Sequence, residues 1–152
     1  MIVGVVSDTH GRMHRGTLAA LSGAERILHA GDVGGPAILS VLSAVAPVTA
    51  VRGNVDRDGL ARALSESEVV EVEGLSIYML HDLAELDLDP VAAGFAVVIS
   101  GHTHQARLER KRGVLYLNPG SCGPRRFRLP ITIARLRVEG GRAEAEIVTL
   151  ET

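Results

Sequence analysis

The hydrophobic pattern of the chain consists of short apolar runs rich in β-branched residues, and five of these runs end close to Asp, Asn or His. Runs of this length and composition are typical of buried β-strands. Ligands of open α/β sheets bind outside the carboxyl ends of the strands, so we expect the polar side chains to converge there. The runs, each with its polar residues, are IVGVVS before Asp8 and His10, RILHAG before Asp32, VTAVRG before Asn54, LSIYML before His81, and FAVVISG before His102 and His104.

Helical segments separate the strands in the first half of the chain, and we predict them at 15–21, 36–45 and 59–64. Pro36 suits the first turn of the second helix, where its missing N–H costs no hydrogen bond. Strands that alternate with helices favour parallel pairing through right-handed crossovers.

The second half has a different pattern, with successive strands predicted at 68–73, 75–80, 105–111, 114–117, 131–138 and 142–150. Arg112-Gly113 and Gly140-Gly141 are candidate hairpin turns. Polar interruptions along the last strands indicate antiparallel pairing with one face in water. The expected architecture is an α/β fold with two packed sheets flanked by helices.

Length and cysteine content narrow the class of protein. A chain of 152 residues suits one domain, 1–152, which can bury about 68–70% of its unfolded surface. Cys122 is the only cysteine, which excludes a disulfide framework and a cysteine zinc site. With Met1 opening directly into the first strand, we expect a cytoplasmic protein without a signal peptide. Apolar runs such as 95–99 are too short to span a bilayer.

Charge and aromatic content argue against a nucleic-acid partner. The net charge is −2 with a pI near 6.3, so the chain has no strong positive field to attract a polyanion. Its two Tyr, two Phe and no Trp offer few stacking surfaces for bases. The local clusters of arginine are interpreted as solvated surface.

Two pairs of donors share one spacing. Asp8 and His10 stand at i and i+2, as do His102 and His104. On an extended backbone such pairs point the same way and can serve one ion. Gly11 then allows the chain to turn away without blocking the site.

The remaining donors add carboxylate and amide oxygens to the set. Asp32 has two carboxylate oxygens, which can bridge two cations, and Asn54 supplies a neutral amide oxygen. A set of oxygen and imidazole donors without thiolate favours Mn, Fe, Zn, Ni or Co over a calcium cage. Single motifs of this kind are weak signals, but the ordered set at five strand ends predicts a metal site.

The ordered set resembles the calcineurin-like metallophosphoesterase superfamily, and its small bacterial and archaeal phosphodiesterase branch in particular. The resemblance implies a four-layer α/β/β/α sandwich, with two mixed β-sheets flanked by helices and the metal site at the C-terminal ends of strands. The motifs that carry it are Asp8-Thr9-His10-Gly11, Gly31-Asp32, Arg52-Gly53-Asn54-Val55-Asp56, His81, Gly101-His102-Thr103-His104, Asn118-Pro119-Gly120-Ser121 and Pro124-Arg125.

The resemblance also implies two divalent metal ions, with Mn the first candidate and Fe, Ni, Zn and Co the alternatives. A hydroxide between the two ions would be the nucleophile. Asn54 and His81 would also contact the phosphoryl oxygens, and Asp56 would orient a neighbouring imidazole. One ion would take Asp8, His10, Asp32 and His104; the other would take Asp32, Asn54, His81 and His102, with Asp32 bridging.

The chain departs from the wider superfamily at two positions. Many members have a His after the Gly-Asn motif, thought to protonate the leaving group, and here Val55 cannot donate a proton. Such a donor is worth about 10²–10⁴-fold, so good leaving groups should be favoured. Asp82 follows His81 where this branch often has Gly.

Three further residues are candidates for substrate contact, each with an ordinary alternative. His14 could replace the missing acid or be a solvated loop residue. Arg52 could touch phosphate or pair with a carboxylate, and Arg125 could face the substrate or form a salt bridge. His29, inside the second strand, is expected to be a core or supporting residue.

We therefore hypothesise a dinuclear-metal phosphoesterase for small phosphodiesters, with no nucleic-acid or membrane partner. The alternative is a non-catalytic protein-binding scaffold of the same fold, as in the eukaryotic retromer subunit of the superfamily. Retention of all seven donors favours the enzyme, since scaffolds can lose them freely. A nuclease is a third hypothesis, disfavoured by the low charge. Edge strands and an apolar helix face could form the interface of a homo-oligomer.

Overall fold

A computed structural model describes residues 1–152 and contains the two predicted mixed sheets, each with five strands. The first sheet has the order β10-β9-β1-β2-β3. Strands β1, β2 and β3 are parallel to one another, and β9 runs antiparallel to both β1 and β10. The strands are β1 (Ile2–Val6), β2 (Arg26–His29), β3 (Val48–Ala50), β9 (Ile131–Glu139) and β10 (Arg142–Glu151).

The second sheet has the order β4-β5-β6-β8-β7. Its three middle strands are parallel, and the two edge strands pair antiparallel through hairpins. The predicted turns at Arg112-Gly113 and Gly140-Gly141 are present, and φ is positive at all four residues. The strands are β4 (Ser67–Val72), β5 (Leu75–Leu80), β6 (Phe95–Ile99), β7 (Arg107–Lys111) and β8 (Val114–Asn118).

Helices are short, and the predicted ones end earlier than their sequence patterns indicate. They are α1 (Thr17–Ala20), α2 (Pro36–Ser43), α3 (Asp58–Ala63) and α4 (Pro90–Ala93), with a 3₁₀ turn at Leu83–Glu85. The fourth helix was not predicted, although Asp89 caps it, Pro90 opens it and left-handed Gly94 ends it. None of these helices has the length and apolar character needed to cross a membrane.

Alternation of side chains along the strands builds the layers. Val5, Leu28, Met79 and Val97 point between the sheets and belong to the largest buried core. A second core lies on the outer face of the first sheet, where α1 and α2 pack; it includes Leu42. Each fully buried side chain of this size contributes about 1.5–3 kcal/mol. The helices thus form the outer layers of the expected sandwich.

The topology places the site. Strands β1, β2 and β3 run parallel in one sheet, and β5 and β6 run parallel in the other. Their carboxyl ends meet at one edge of the sandwich. The loops that leave these five ends carry all seven donor residues singled out in the sequence.

Candidate metal centre

The backbone of the donor loops is left-handed and not extended, which corrects the expected geometry of the i, i+2 pairs. Positive φ occurs at five of the seven donors, which are Asp8 (55°), His10 (48°), Asp32 (55°), His102 (73°) and His104 (63°). Asp and His are among the non-glycine residues enriched in this region, which nevertheless costs about 1 kcal/mol or more per residue. Strain of this kind concentrates at functional sites. The pairs still converge, but through tight turns.

The closed side of the centre consists of Asp8, His10 and His104. The two imidazole Nε2 atoms are 3.2 Å apart, and they lie 3.7 Å (His10) and 3.4 Å (His104) from Asp8 Oδ1. Asp8 is completely buried, and the side chain of His104 is 5% exposed. Asp8 Oδ2 accepts hydrogen bonds from Ser7 Oγ (2.6 Å) and the backbone N–H of His102 (3.0 Å). The carboxylate is therefore fixed with Oδ1 directed at the imidazoles.

Asp32 lies at the middle of the donor set. Its Oδ2 is 3.7 Å from His10 Nε2 and 3.2 Å from His81 Nε2, while Oδ1 accepts a hydrogen bond from the backbone N–H of Val55 at 2.9 Å. His81 Nδ1 is 2.7 Å from the carbonyl oxygen of Ala30. Donation to that carbonyl leaves Nε2 of the neutral ring free to act as a ligand.

The open side consists of Asn54 and His102. Asn54 Oδ1 lies 3.2 Å from His102 Nδ1, and both residues are exposed, the His102 side chain by 42%. The other ring nitrogen of His102, Nε2, lies 3.8 Å from Asp82 Oδ2. From the sequence, Asp82 was noted only as a departure from the family pattern. In the structure, its carboxylate faces the imidazole of His102.

Electrostatics of the buried groups favour charged carboxylates. Burial by itself raises the pKa of Asp8, but the nearby imidazoles of His10 and His104 and the hydrogen bond from Ser7 outweigh it and hold that pKa well below its ordinary value. Asp32 shows the same balance, with its pKa lowered by His81 and the Val55 amide. Burial lowers the pKa of His81, but the Asp32 carboxylate, 3.2 Å from Nε2, outweighs this effect, so the pKa of His81 is raised.

The donor set fits divalent metal ions on two observations. First, two groups of side chains bring their ligand atoms within 4.8 Å of one another, Asp8 with His10 and His104, and Asp8 with Asp32 and His81. Second, Asp8 Oδ1 and His81 Nε2 are buried in the protein without a hydrogen-bond partner. A buried carboxylate oxygen and a buried imidazole nitrogen that face each other without hydrogen-bond partners are both unsatisfied acceptors, and a cation between them would satisfy both. The oxygen and nitrogen donors suit the transition metals expected from the sequence.

His29 supports the closed side from beneath. Its Nδ1 accepts a hydrogen bond from the Gly31 N–H (3.1 Å), so in the neutral ring Nε2 donates to Thr9 Oγ1 (3.0 Å). Thr9 Oγ1 in turn donates to the carbonyl oxygen of Val33 at 2.8 Å. This chain of hydrogen bonds ties the loop after β1 to the loop after β2. Burial lowers the pKa of His29 to about 4.

Asp56 binds backbone amides and no imidazole, which differs from the role expected from the sequence. Its carboxylate accepts hydrogen bonds from the N–H groups of Gly53 (2.9 Å), Gly34 (3.0 Å) and Val33 (3.3 Å). Backbone N–H groups thus donate to both carboxylate oxygens, so the residue holds two donor loops together. A loop connection of this kind has no periodicity that a sequence pattern could reveal.

Two glycines allow the loops to approach closely. A Cβ at Gly53 would lie 2.1 Å from Asp32 Oδ1, and one at Gly101 would lie 2.0 Å from Ser7 Oγ. Contacts this short are not tolerated. Asn118 supports the same region, since its Nδ2 donates to the carbonyl oxygen of Gly101 at 3.0 Å.

The candidates for substrate contact are divided between two cavities. Arg52 lines a cavity of about 500 Å³ that also contains Asn54, His81 and His102. Its guanidinium is bound to Glu66 Oε1 at 2.9 Å and to the carbonyl oxygen of Ala61 at 2.6 Å.

His14 and Arg125 line a different cavity, of about 520 Å³, which includes none of the seven donors. Both side chains bind Glu151, at 3.2 Å and 2.9 Å respectively, and these contacts hold the pKa of Glu151 below its ordinary value. Arg125 therefore forms the salt bridge given as its alternative, and His14, for which a solvated loop position was the alternative, contacts the same carboxylate.

Comparisons with known proteins give one consistent family. Residues 1–141 match the calcineurin-like phosphoesterase superfamily domain. The chain is 34% identical to a probable metallophosphoesterase from Methanothermobacter thermautotrophicus, over 97% of this chain and 92% of that protein.

Two solved structures share the fold. One was described as a novel archaeal phosphodiesterase, with a TM-score of 0.79 and 24% identity over 97% of this chain and 100% of that one. The other is a Vps29 variant from Entamoeba histolytica, with a TM-score of 0.79 and 21% identity over 99% and 100% of the two chains. From the match over residues 1–141 and the 34% identity, the chain belongs to the calcineurin-like phosphoesterase superfamily.

Proposed function

We propose that the protein is a metal-dependent phosphodiesterase that hydrolyses small phosphodiesters with two divalent ions. The observation that carries the proposal is the buried Asp8 Oδ1, which has no hydrogen-bond partner and faces the Nε2 atoms of His10, His81 and His104 within 3.8 Å. A structural role alone would leave this oxygen uncompensated.

Each side of the centre would hold one ion. Asp8, His10, Asp32 and His104 would bind the first, and Asp32, Asn54, His81 and His102 the second. When bound, a pair of divalent ions supplies an activated water nucleophile and neutralises the charge of the phosphoryl group. Asp32 is suited to both sets because Oδ2 lies 3.7 Å from His10 Nε2 and 3.2 Å from His81 Nε2.

The substrate would enter from the open side. Asn54 and His81 line the cavity there, and both can position a phosphoryl oxygen. The neighbouring Val55 is 36% exposed and has no proton to give to a departing alkoxide. Diesters with good leaving groups, such as aryl esters, should therefore react faster than alkyl diesters.

The non-catalytic scaffold remains the second hypothesis, because the fold is shared with Vps29. It predicts that the donors have no role in turnover. A nuclease is disfavoured by the net charge of −2, and degradation of DNA at physiological salt would contradict that judgement.

The first test is hydrolysis of bis-p-nitrophenyl phosphate and p-nitrophenyl phosphate by chelated protein, with Mn²⁺, Ni²⁺, Zn²⁺ or Mg²⁺ added back. Turnover that a metal restores and that favours the diester supports the proposal. Binding of two ions without turnover of either ester would favour the scaffold instead.

Substitution of Asp32 tests the shared carboxylate. Asp32→Asn keeps the size of the side chain but removes the charge, so we expect at least about a 100-fold loss of diester turnover and weaker binding of both ions. Metal content by mass spectrometry and turnover would be measured together. Asp89→Asn is the matched control, because Asn also caps α4 well. Unchanged turnover in Asp32→Asn would eliminate the mechanism.

A further inference from the structure

We propose that the cavity on the open side selects phosphodiesters in which one alcohol carries an ammonium group. The inference rests on the phosphodiesterase function proposed above and adds the class of substrate. We define the acidic cavity as the 500 Å³ space whose inner end is formed by Asn54, His81 and His102.

The acidic cavity reaches the metal centre. His81 lines it, is 5% exposed, and its Nε2 atom is buried without a hydrogen-bond partner. A substrate whose phosphoryl group is held at the metal centre could therefore extend its alcohol group into the cavity. The cavity is large enough for a small alcohol of several heavy atoms but not for a folded macromolecule.

The outer wall of the acidic cavity is rich in carboxylates. It contains Glu66, Asp82, Glu85 and Asp87, and its single arginine, Arg52, is paired with Glu66 at 2.9 Å. Glu85 and Asp87 form no salt bridge in the structure, and the only ionisable partner of Asp82 is His102, at 3.8 Å. Three carboxylates therefore face the space without a fixed cation.

The remaining wall combines the apolar and aromatic side chains of Ala61, Tyr78 and Leu80 with Gly53, Asp56 and Ser67. Tyr78 and Leu80 project from the outer face of β5 into the cavity, because the residues between and before them point to the core. An aromatic ring attracts ammonium groups, most strongly when their alkyl groups displace water. Carboxylates around an aromatic surface are the chemistry that recognises amino alcohols and quaternary ammonium alcohols.

The same charges act against other diesters. A second phosphate or a carboxylate on the substrate would lie beside Asp82, Glu85 and Asp87 and be repelled, since like charges a few ångströms apart repel one another even in water. A neutral alcohol would gain nothing from them. Opposite charges at the two ends would instead orient the substrate, with its phosphoryl group at the metal centre and its ammonium group in the acidic cavity.

The test compares p-nitrophenyl diesters that share a leaving group and differ in the second alcohol. For the metal-loaded protein, we expect kcat/KM for p-nitrophenyl phosphorylcholine to exceed that for ethyl p-nitrophenyl phosphate by about tenfold or more, as two or three uncompensated carboxylates would give. In the double variant Glu85→Gln with Asp87→Asn, this ratio should fall by about fivefold or more. The matched control, Glu73→Gln with Glu139→Gln, removes two exposed carboxylates elsewhere and should keep the ratio.

A binding measurement on metal-free protein separates recognition from turnover. Titration with tetramethylammonium, followed by NMR, should shift amide signals at the end of β5 and in the 83–85 turn of the wild type and of the control variant. The Glu85/Asp87 variant should show no such shifts. Shifts of equal size in both variants would contradict the acidic cavity as the binding place.

The outcomes keep the two proposals apart. If bis-p-nitrophenyl phosphate is hydrolysed but the choline ester reacts no faster than the ethyl ester, the substrate class is wrong and the phosphodiesterase function stands. If no diester is hydrolysed with any metal, the function itself fails. Stoichiometric binding of Mn²⁺ by Glu85 and Asp87, in place of the ammonium probe, would also overturn the inference.

Discussion

The closed and open sides of the centre are built from the same types of donor but differ in how they are held. On the closed side, Asp8 is fully buried, His104 is 5% exposed, and two hydrogen bonds to Oδ2 fix the Asp8 carboxylate. On the open side, the His102 side chain is 42% exposed, and Asn54 is exposed as well.

Burial has two consequences for ligand binding. A rigid, water-free set of donors loses little entropy when an ion binds, and it holds the ion strongly. An exposed set binds less tightly but leaves room for a substrate oxygen beside the ion. We therefore expect one tightly held ion and one ion that exchanges readily and meets the substrate.

The largest effect should come from the closed side. His104→Ala removes a buried donor, so we expect about a 100-fold or larger loss of affinity for the tighter ion. His102→Ala should weaken only the second ion and leave the first in place. Titration calorimetry with Mn²⁺ on chelated protein would give both affinities. If both variants lost the same ion to the same degree, the division into two sides would be wrong.

A backbone substitution can move the carboxylate that both sides share. In Gly53→Ala the new Cβ would collide with Asp32 Oδ1 at 2.1 Å, so we expect turnover to fall by about 100-fold or more. Gly59→Ala is the control, because a Cβ there meets no atom within 4 Å and replaces a helical glycine. Normal activity in Gly53→Ala would show that the loops yield without displacing Asp32.

The support beneath the closed side should make the protein sensitive to acid. The pKa of His29 is lowered to about 4 by burial, below its ordinary value of 6.5, so the unfolded chain binds a proton first as pH falls. Between pH 7 and pH 5 this group alone should cost the metal-free protein about 2 kcal/mol of unfolding free energy.

Urea unfolding at the two pH values would measure the loss. The variant His29→Gln is less stable at pH 7 because it disturbs the bond to Thr9, but its loss on going to pH 5 should be smaller than that of the wild type. The raised pKa of His81 works in the opposite direction in both proteins, since protonation there favours the folded state. An equal pH dependence in the two proteins would exclude His29 as the cause.

The smallest expected effect comes from Asp82, which faces His102 on the open side. Asp82→Asn keeps a polar side chain 3.8 Å from His102 Nε2 but removes its charge, and we expect about a tenfold weaker second ion. The first ion should be unaffected. A change in the affinity of both ions would show that Asp82 stabilises the fold as a whole and does not act by orienting His102.

The strand pattern predicted the fold and the place of the centre because it depends on two strong rules. Buried parallel strands have apolar, β-branched sequences, and their carboxyl ends share one edge. Runs such as the one before Asp32 therefore predicted both the parallel strand and the direction in which its polar residue lies. The helix α4 was missed because four residues leave too short a pattern, although its cap, proline and glycine are visible.

Features that depend on loop conformation could not be predicted from these patterns. The hydrogen bonds of Asp56 go to amides of two different loops, and no sequence signal distinguishes an amide partner from an imidazole partner. The extended backbone expected at Asp8 and His10 was wrong because tight turns after β1 bring both side chains to one point. His14 and Arg125 depend on a third residue, Glu151, which lies at the far end of the chain.

The left-handed backbone at the donors also limits which substitutions a descendant of this chain can accept. At the five donors with positive φ, Asn and Gly suit the same φ values, whereas Val, Ile and Thr do not. Replacement of these donors by Asn or Gly would thus weaken metal binding and leave the loops folded. A route from enzyme to binding protein is open through a few such exchanges, without any rebuilding of the sandwich.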